Sequence, residues 1–101
     1  MVVRMWRGWT KAEDAEAYTK YIEETGVQGL SGTPGNQGVQ MWLRADGDLA
    51  EFVVVSHWDS RESIKAFAGE NIEVARFYPE DERYLVERDL TVTHYDVVAS
   101  A

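Results

Sequence analysis

The spacing of apolar and polar positions switches between a two-residue and a three-to-four-residue period along the chain, and each switch predicts an element. Val2 to Trp9 predicts a first strand, with Val3 and Met5 on one face and Val2, Arg4 and Trp6 on the other. Thr10 and Glu13 have capping-box spacing and predict the start of a helix whose buried stripe is Ala15, Tyr18, Ile22 and Thr25. Gly26 is expected to end it. Glycine then recurs at 26, 29, 32, 35 and 38, which reads as a connector, or as a lid over a pocket, with a turn at Thr33-Pro34-Gly35-Asn36. No GKS or GKT follows, so the run is not a phosphate loop.

Val39 to Ala45 alternates as a second strand, and Ala45-Asp46-Gly47-Asp48 predicts a hairpin turn with Asp-Gly at its centre. Leu49 to Trp58 is a third strand, apolar at consecutive positions from Phe52 to Val55. Asp59 and Glu62 give a second capping box, Ile64, Phe67 and Ala68 a second helical stripe, and Gly69 a stop. Asn71 to Phe77 predicts a short helical segment, broken at Tyr78-Pro79-Glu80-Asp81, with a further turn to Tyr84. Val86 to Val98 predicts the last strand. Val86, Leu90 and Val92 share a face with His94 there.

The order β-α-β-β-α-β is the ferredoxin-like split arrangement, an α+β fold. Short right-handed connections imply an antiparallel sheet, strand order 4-1-3-2, with both helices on one face. The chain of 101 residues is read as a single domain, 1–101. The third strand is apolar on both sides, so the open sheet face needs a cover. A second copy of the chain is the cheapest one, and a homodimer with facing sheets is expected.

Charge and composition narrow the function classes. A formal charge of −8, without a local cluster of Lys and Arg, argues against nucleic acid and anionic membrane as partners. No cysteine is present, which excludes disulfides, thiolate chemistry and Cys-ligated metals. No apolar run is long enough to span a membrane, and MVVRMWRGW lacks a signal-peptide pattern, so a cytoplasmic protein is the expectation.

Candidate chemistry centres on the two histidines, His57 and His94, each in a His-aromatic-Asp triplet near a strand end. The topology places them at one end of the sheet, about 10 Å apart across the first strand. They read as a general base, as members of a metal site with one carboxylate, or as strand-end histidines satisfied locally. Trp6, Trp42, Phe67, Phe77, Tyr78 and Tyr84 are the candidate aromatic lining of a pocket. Arg4 and Arg44, both on strands, read either as a clamp for a substrate anion or as ion-pair partners across subunits. The carboxylates at Glu80-Asp81-Glu82 read as a solvated face.

Ser56-His57-Trp58-Asp59-Ser60, the AFAG helix end, the Tyr78-Pro79-Glu80-Asp81 turn and the His94-Tyr95 strand resemble the antibiotic biosynthesis monooxygenase family. The resemblance implies a dimeric α+β barrel with one pocket per subunit. It also implies cofactor-independent oxidation of a small phenol or anthrone by O2, with a non-catalytic dimer or a polyketide cyclase-like enzyme as alternatives. Heme-degrading relatives resemble a pattern of Asn in the first strand, Trp on the second helix and His ten residues on. Here the first strand has no Asn, and Phe67 and Phe77 occupy the other positions, which argues against that branch.

Overall fold

A computed structural model describes residues 1–101. β1 (Val2–Lys11) runs through the middle of one antiparallel sheet. A 3₁₀ turn (Ala12–Asp14) leads into α1 (Ala15–Ile22), a π turn (Glu23–Val27) and α2 (Gln28–Ser31). The hairpin β2 (Asn36–Asp46) and β3 (Leu49–Trp58) follows, then α3 (Arg61–Ala68), α4 (Asp81–Tyr84), β4 (Leu85–Arg88) and β5 (Thr93–Asp96). The sheet order is β2-β3-β1-β4, with β5 also paired to β1, and the helices cover one face. This is the ferredoxin-like α+β fold that the alternation predicts. No helix is long and apolar enough to cross a membrane.

Register decides which residues share a face. Val2, Arg4, Gly8 and Thr10 of β1 stand opposite Trp58, Ser56, Phe52 and Ala50 of β3, and all eight are buried under the helices. Tyr18 and Ile22 of α1, Leu30 of α2 and Ile64 and Phe67 of α3 close over them as the core. The Tyr18 ring meets Phe52 edge-on at 5.0 Å. The opposite face carries Val3, Met5, Val53, Val55 and His57, with Trp42 and Tyr95 beside them.

Several local expectations are corrected by long-range contacts. Thr10 does not cap a helix. Its pairing with Ala50 and Leu85 keeps it in β1, and its hydroxyl donates to the Lys11 carbonyl. Gly26 does not end the first helix either. A terminating glycine needs positive φ, and Gly26 lacks it. The helix instead widens by a π turn and continues to Ser31, so the run from Gly26 to Gly38 is mostly helix and strand rather than a lid. The hairpin turn is centred one residue later, on Gly47-Asp48, because Asp46 still pairs with Leu49 and Gly47 supplies φ 61°.

The cap of α3 is Ser60, whose Oγ accepts from the Ser63 amide at 3.3 Å, and not Asp59, whose carboxylate takes both serine hydroxyls. Ser60→Ala is expected to cost about 1 kcal/mol, read as a lower urea midpoint at unchanged slope, with Ser60→Asp restoring most of it.

Residues 71–77 form a turn followed by a strap, not a helix. Their backbone is taken by distant partners: Ala75 donates to Leu90 at 3.0 Å, and the Glu73 carbonyl accepts from Val92 at 2.8 Å. The strap occupies the strand edge there, and the last strand is broken into β4 and β5 around Asp89 to Val92.

Candidate functional site

Between the helix-covered sheet face and the helices lies a cavity of about 490 Å3, its mouth included. The sheet contributes Arg4, Trp6, Val54 and Ser56 to its floor. Tyr18, Ile22, Gly26 and Leu30 form one wall, and Phe67 with the strap residues Arg76, Phe77 and Tyr78 forms the other. Asp81 and Val92 complete the lining. The glycines of the long first helix have a purpose here. A Cβ on Gly29 would lie 2.5 Å from the Tyr78 hydroxyl, so glycine is what lets Tyr78 approach.

The aromatic groups are fixed. Trp6 donates from Nε1 to the Asp89 carbonyl at 2.9 Å and stacks edge-on against Phe77 at 6.2 Å. Its ring folds over Gly8, where a Cβ would come within 2.8 Å of Cζ2. The Arg76 guanidinium lies over both Phe67, at 4.9 Å, and Tyr78, at 5.2 Å, and donates to the Phe67 carbonyl.

Arg4 is the main electrostatic feature of the site. It is 4 % exposed and makes no ion pair, although the chain carries 18 carboxylate residues. Its donors go to the Ile72 and Val74 carbonyls of the strap and to His94. Burial pulls the guanidinium down to about 10, so it is still charged at neutral pH. It is therefore a buried positive charge with no carboxylate within ion-pair distance, which favours a bound anion. The inter-subunit ion pair considered for Arg4 is not formed within this geometry, since Arg4 faces its own cavity. Arg44 lies on the open face, is solvent-exposed and pairs with Glu51 at 2.8 Å.

The two histidines reach the same end of the sheet, as expected, but not the same face. His57 stands opposite Val3, and His94 opposite Arg4. Consecutive residues of a strand point to opposite sides, so the two rings cannot converge on one metal or one substrate. No group of His, Asp and Glu in the fold is arranged to hold a metal ion. His57 is on the face away from the cavity. His94 is on the cavity side but behind Arg4, with Nε2 at 3.3 Å from Nη1. Arginine only donates, so Nε2 accepts and the proton sits on Nδ1. Burial first, and the Arg4 charge second, hold this imidazole below its ordinary range and keep it neutral.

Among the aromatic candidates, Trp6, Phe67, Phe77 and Tyr78 line the cavity. Trp42 does not. It is on the open face beside Val53, half exposed, with Nε1 donating to Gln40. Tyr84 is also elsewhere, packed on Tyr18 at 5.6 Å and Tyr21 at 5.9 Å.

Asp81 is the residue that the charge pattern hid. It sits between exposed Glu80 and Glu82 yet is 2 % exposed, with Oδ1 accepting from the Tyr18 hydroxyl at 3.0 Å and Oδ2 from the Tyr78 amide at 2.6 Å. The available signal was its place two residues after Pro79, at the first turn of α4, where an acidic side chain folds back on the preceding loop.

The family model described as antibiotic biosynthesis monooxygenase matches residues 1–71. The chain belongs to this family. A family member from Bacillus cereus, described as an antibiotic biosynthesis monooxygenase, superposes with a TM-score of 0.69 at 18% identity, covering 100% of this chain and 94% of that one. One from Nitrosomonas europaea, described alike, gives 0.68 at 18% identity over 98% and 100%. The heme-degrader MhuD from Mycobacterium tuberculosis, with two hemes bound in its active site, gives 0.66 at 21% identity over 100% and 99%. At these identities the likeness carries the fold. No curated protein sequence matches the chain.

Neither histidine lines the cavity, so it offers a heme no imidazole ligand. The residues 72–101 beyond the family match supply Arg76, Phe77, Tyr78, Asp81 and Val92, much of the cavity wall.

Proposed function

We propose that the cavity binds a hydroxylated aromatic of polyketide type, a phenol or anthrone, and that the protein is a cytoplasmic, cofactor-independent monooxygenase acting on it with O2. The observation that carries this reading is Arg4, a buried cation without a carboxylate in ion-pair reach, facing a largely hydrophobic cavity to which Trp6, Tyr18, Phe67, Phe77 and Tyr78 contribute aromatic rings. Trp6, Phe67, Phe77 and Tyr78 hold the flat ring system. Arg4 stabilises the anion that forms when the substrate loses a proton, and such stabilisation in a dry site is worth far more than in water. The electron-rich anion then gives an electron to O2. In the full reaction the substrate loses two hydrogens and gains one oxygen atom, and the other oxygen leaves as water. His94 acts through Arg4 as a positioning residue, its Nε2 orienting the guanidinium.

The same reading includes a homodimer. Val3, Met5, Val53, Val55, Trp42 and Tyr95 leave an apolar face that the chain's own helices do not cover. A second copy, sheet against sheet, would bury it, and sedimentation at micromolar concentration is expected to give twice the chain mass.

The test is oxygen uptake by purified protein on a panel of phenols and anthrones, with peroxide and ring-closed products assayed in parallel. One O2 consumed per quinone formed, with no peroxide released and nothing added, is the expected result. Ring closure without O2 uptake would establish a cyclase instead. Binding without any turnover would establish a ligand-binding dimer.

A further inference from the structure

We propose that Asp81, held by Tyr18, takes the proton from the hydroxyl of the bound aromatic ligand. This rests on the reading of the cavity as a site for hydroxylated aromatics and adds the base.

Asp81 is the one carboxylate in the cavity lining. It has no cationic partner within ion-pair distance. Its hydrogen bonds come from two neutral donors, Tyr18 and the Tyr78 amide. The two donors fall on different oxygens, which only a carboxylate can supply, and the charge is buried in the cavity wall without a cation beside it. A carboxylate has about four acceptor positions, so each oxygen keeps one free. The groups around it are Tyr18 from α1, with Tyr21 and Tyr84 packed behind that ring, and Arg88 from β4, which is drawn toward Glu82. Burial holds the Asp81 carboxyl above its ordinary range, which makes it a better base than an exposed aspartate. Burial, with the Asp81 charge, pushes the Tyr18 phenol well up, so Tyr18 stays a donor.

Asp81 and Arg4 line one cavity, Asp81 with Tyr18 at the wall and Arg4 on the sheet floor, so one bound aromatic faces both. In the step, the ligand O–H bond breaks, the proton goes to the Asp81 carboxylate, and the electron pair stays on the ligand and spreads toward Arg4. The proton later leaves with the water formed from O2.

The experiment has two arms. In the first, oxygen uptake on a hydroxyanthrone is measured against pH for wild type, Asp81→Asn and Tyr18→Phe. Wild-type turnover should rise with pH as Asp81 ionises, because only the carboxylate accepts a proton. Asp81→Asn should lose that limb and about 10²–10⁴-fold in kcat. Its affinity for the probe, read from quenching of tryptophan fluorescence, should change less than threefold. Tyr18→Phe keeps the carboxylate but removes a bond that favours its charge, so the limb should move to higher pH. In the second arm a nitronaphthol, not oxidised, is bound at a pH about one unit below its solution pKa. Its absorbance should show the anion in wild type and the neutral form in Asp81→Asn. If wild type consumes no O2, the monooxygenase reading fails while the second arm still decides on Asp81. An identical ionisation state in both proteins, or a pH limb unmoved by Tyr18→Phe where Asp81→Asn does not fold, overturns the proposal.

Discussion

Arg4→Met is expected to lower kcat/KM for an anion-forming aromatic substrate by about 10²–10³-fold, the loss typical of removing one preorganised charge-stabilising donor. The effect should be large because Arg4 is the only charged donor on the cavity floor and is already desolvated and oriented. Arg4→Lys should fall between the two. It keeps a charge, but a compact ammonium cannot serve both strap carbonyls and His94 in the fixed geometry of a guanidinium. Stability should change less than activity. Arg4→Met leaves the Ile72 and Val74 carbonyls without these donors, which costs about 1–3 kcal/mol where water cannot enter, and relieves the burial of a charge. The strap should then open more often, seen as faster amide exchange at Ala75 and Val92, whose amides donate to Leu90 and Glu73. Unchanged kcat/KM with a substrate that binds as an anion would remove Arg4 from the mechanism.

Trp58→Ala should cost about 3–5 kcal/mol, the range for truncating a fully buried tryptophan. Trp58 has no exposed surface and ends β3 in the middle of the core, with Nε1 donating to Ser56 Oγ at 2.8 Å. Its loss opens a void next to Val2 and also removes the donor of a buried hydroxyl. A domain of this size has about 5–15 kcal/mol of stability in all, so the variant should be partly unfolded or close to it at 37 °C. Trp58→Phe keeps most of the volume and should lose about 1–2 kcal/mol, mainly the hydrogen bond. Urea denaturation followed by far-UV circular dichroism measures both. A Trp58→Ala protein within 1 kcal/mol of wild type would show that the site collapses around the gap, contrary to close packing.

The cavity's floor and one wall were readable in the chain because they depend on local alternation. Arg4 and Trp6 share a strand face by simple two-residue spacing, and Phe67 lies on the helical stripe of α3 with Ile64. Phe77 and Tyr78 were placed in the lining although the helical segment expected for residues 71–77 does not form. Their position depends on the strap's pairing with the edge of the sheet, which no local pattern encodes. Trp42 was misplaced by parity. Its row on β2 pairs with Val53, and Val53 is on the open face. Tyr84 was misplaced by direction, since α4 turns it toward Tyr18 and Tyr21.

By itself the chain's pattern determined the strand order, the pairing of β2 with β3 through a tight turn, and the main alternation of strands and helices. These follow from periods, turn residues and short connections, which act over a few residues, while the family was a resemblance carried by particular motifs. Tertiary structure decided what a one-residue shift or a distant backbone group decides. His57 and His94 fall on opposite faces because their partners Val3 and Arg4 are consecutive in β1. The first helix passes through Gly26 with no positive φ, and the bare Cα there lets Ile22 pack close. Asp81 is buried in a run of exposed acids because Tyr18, 63 positions away, meets it with a hydroxyl. Burial of a charged group is a property of its neighbours in space, and those neighbours become known only once the sheet and its helices have closed.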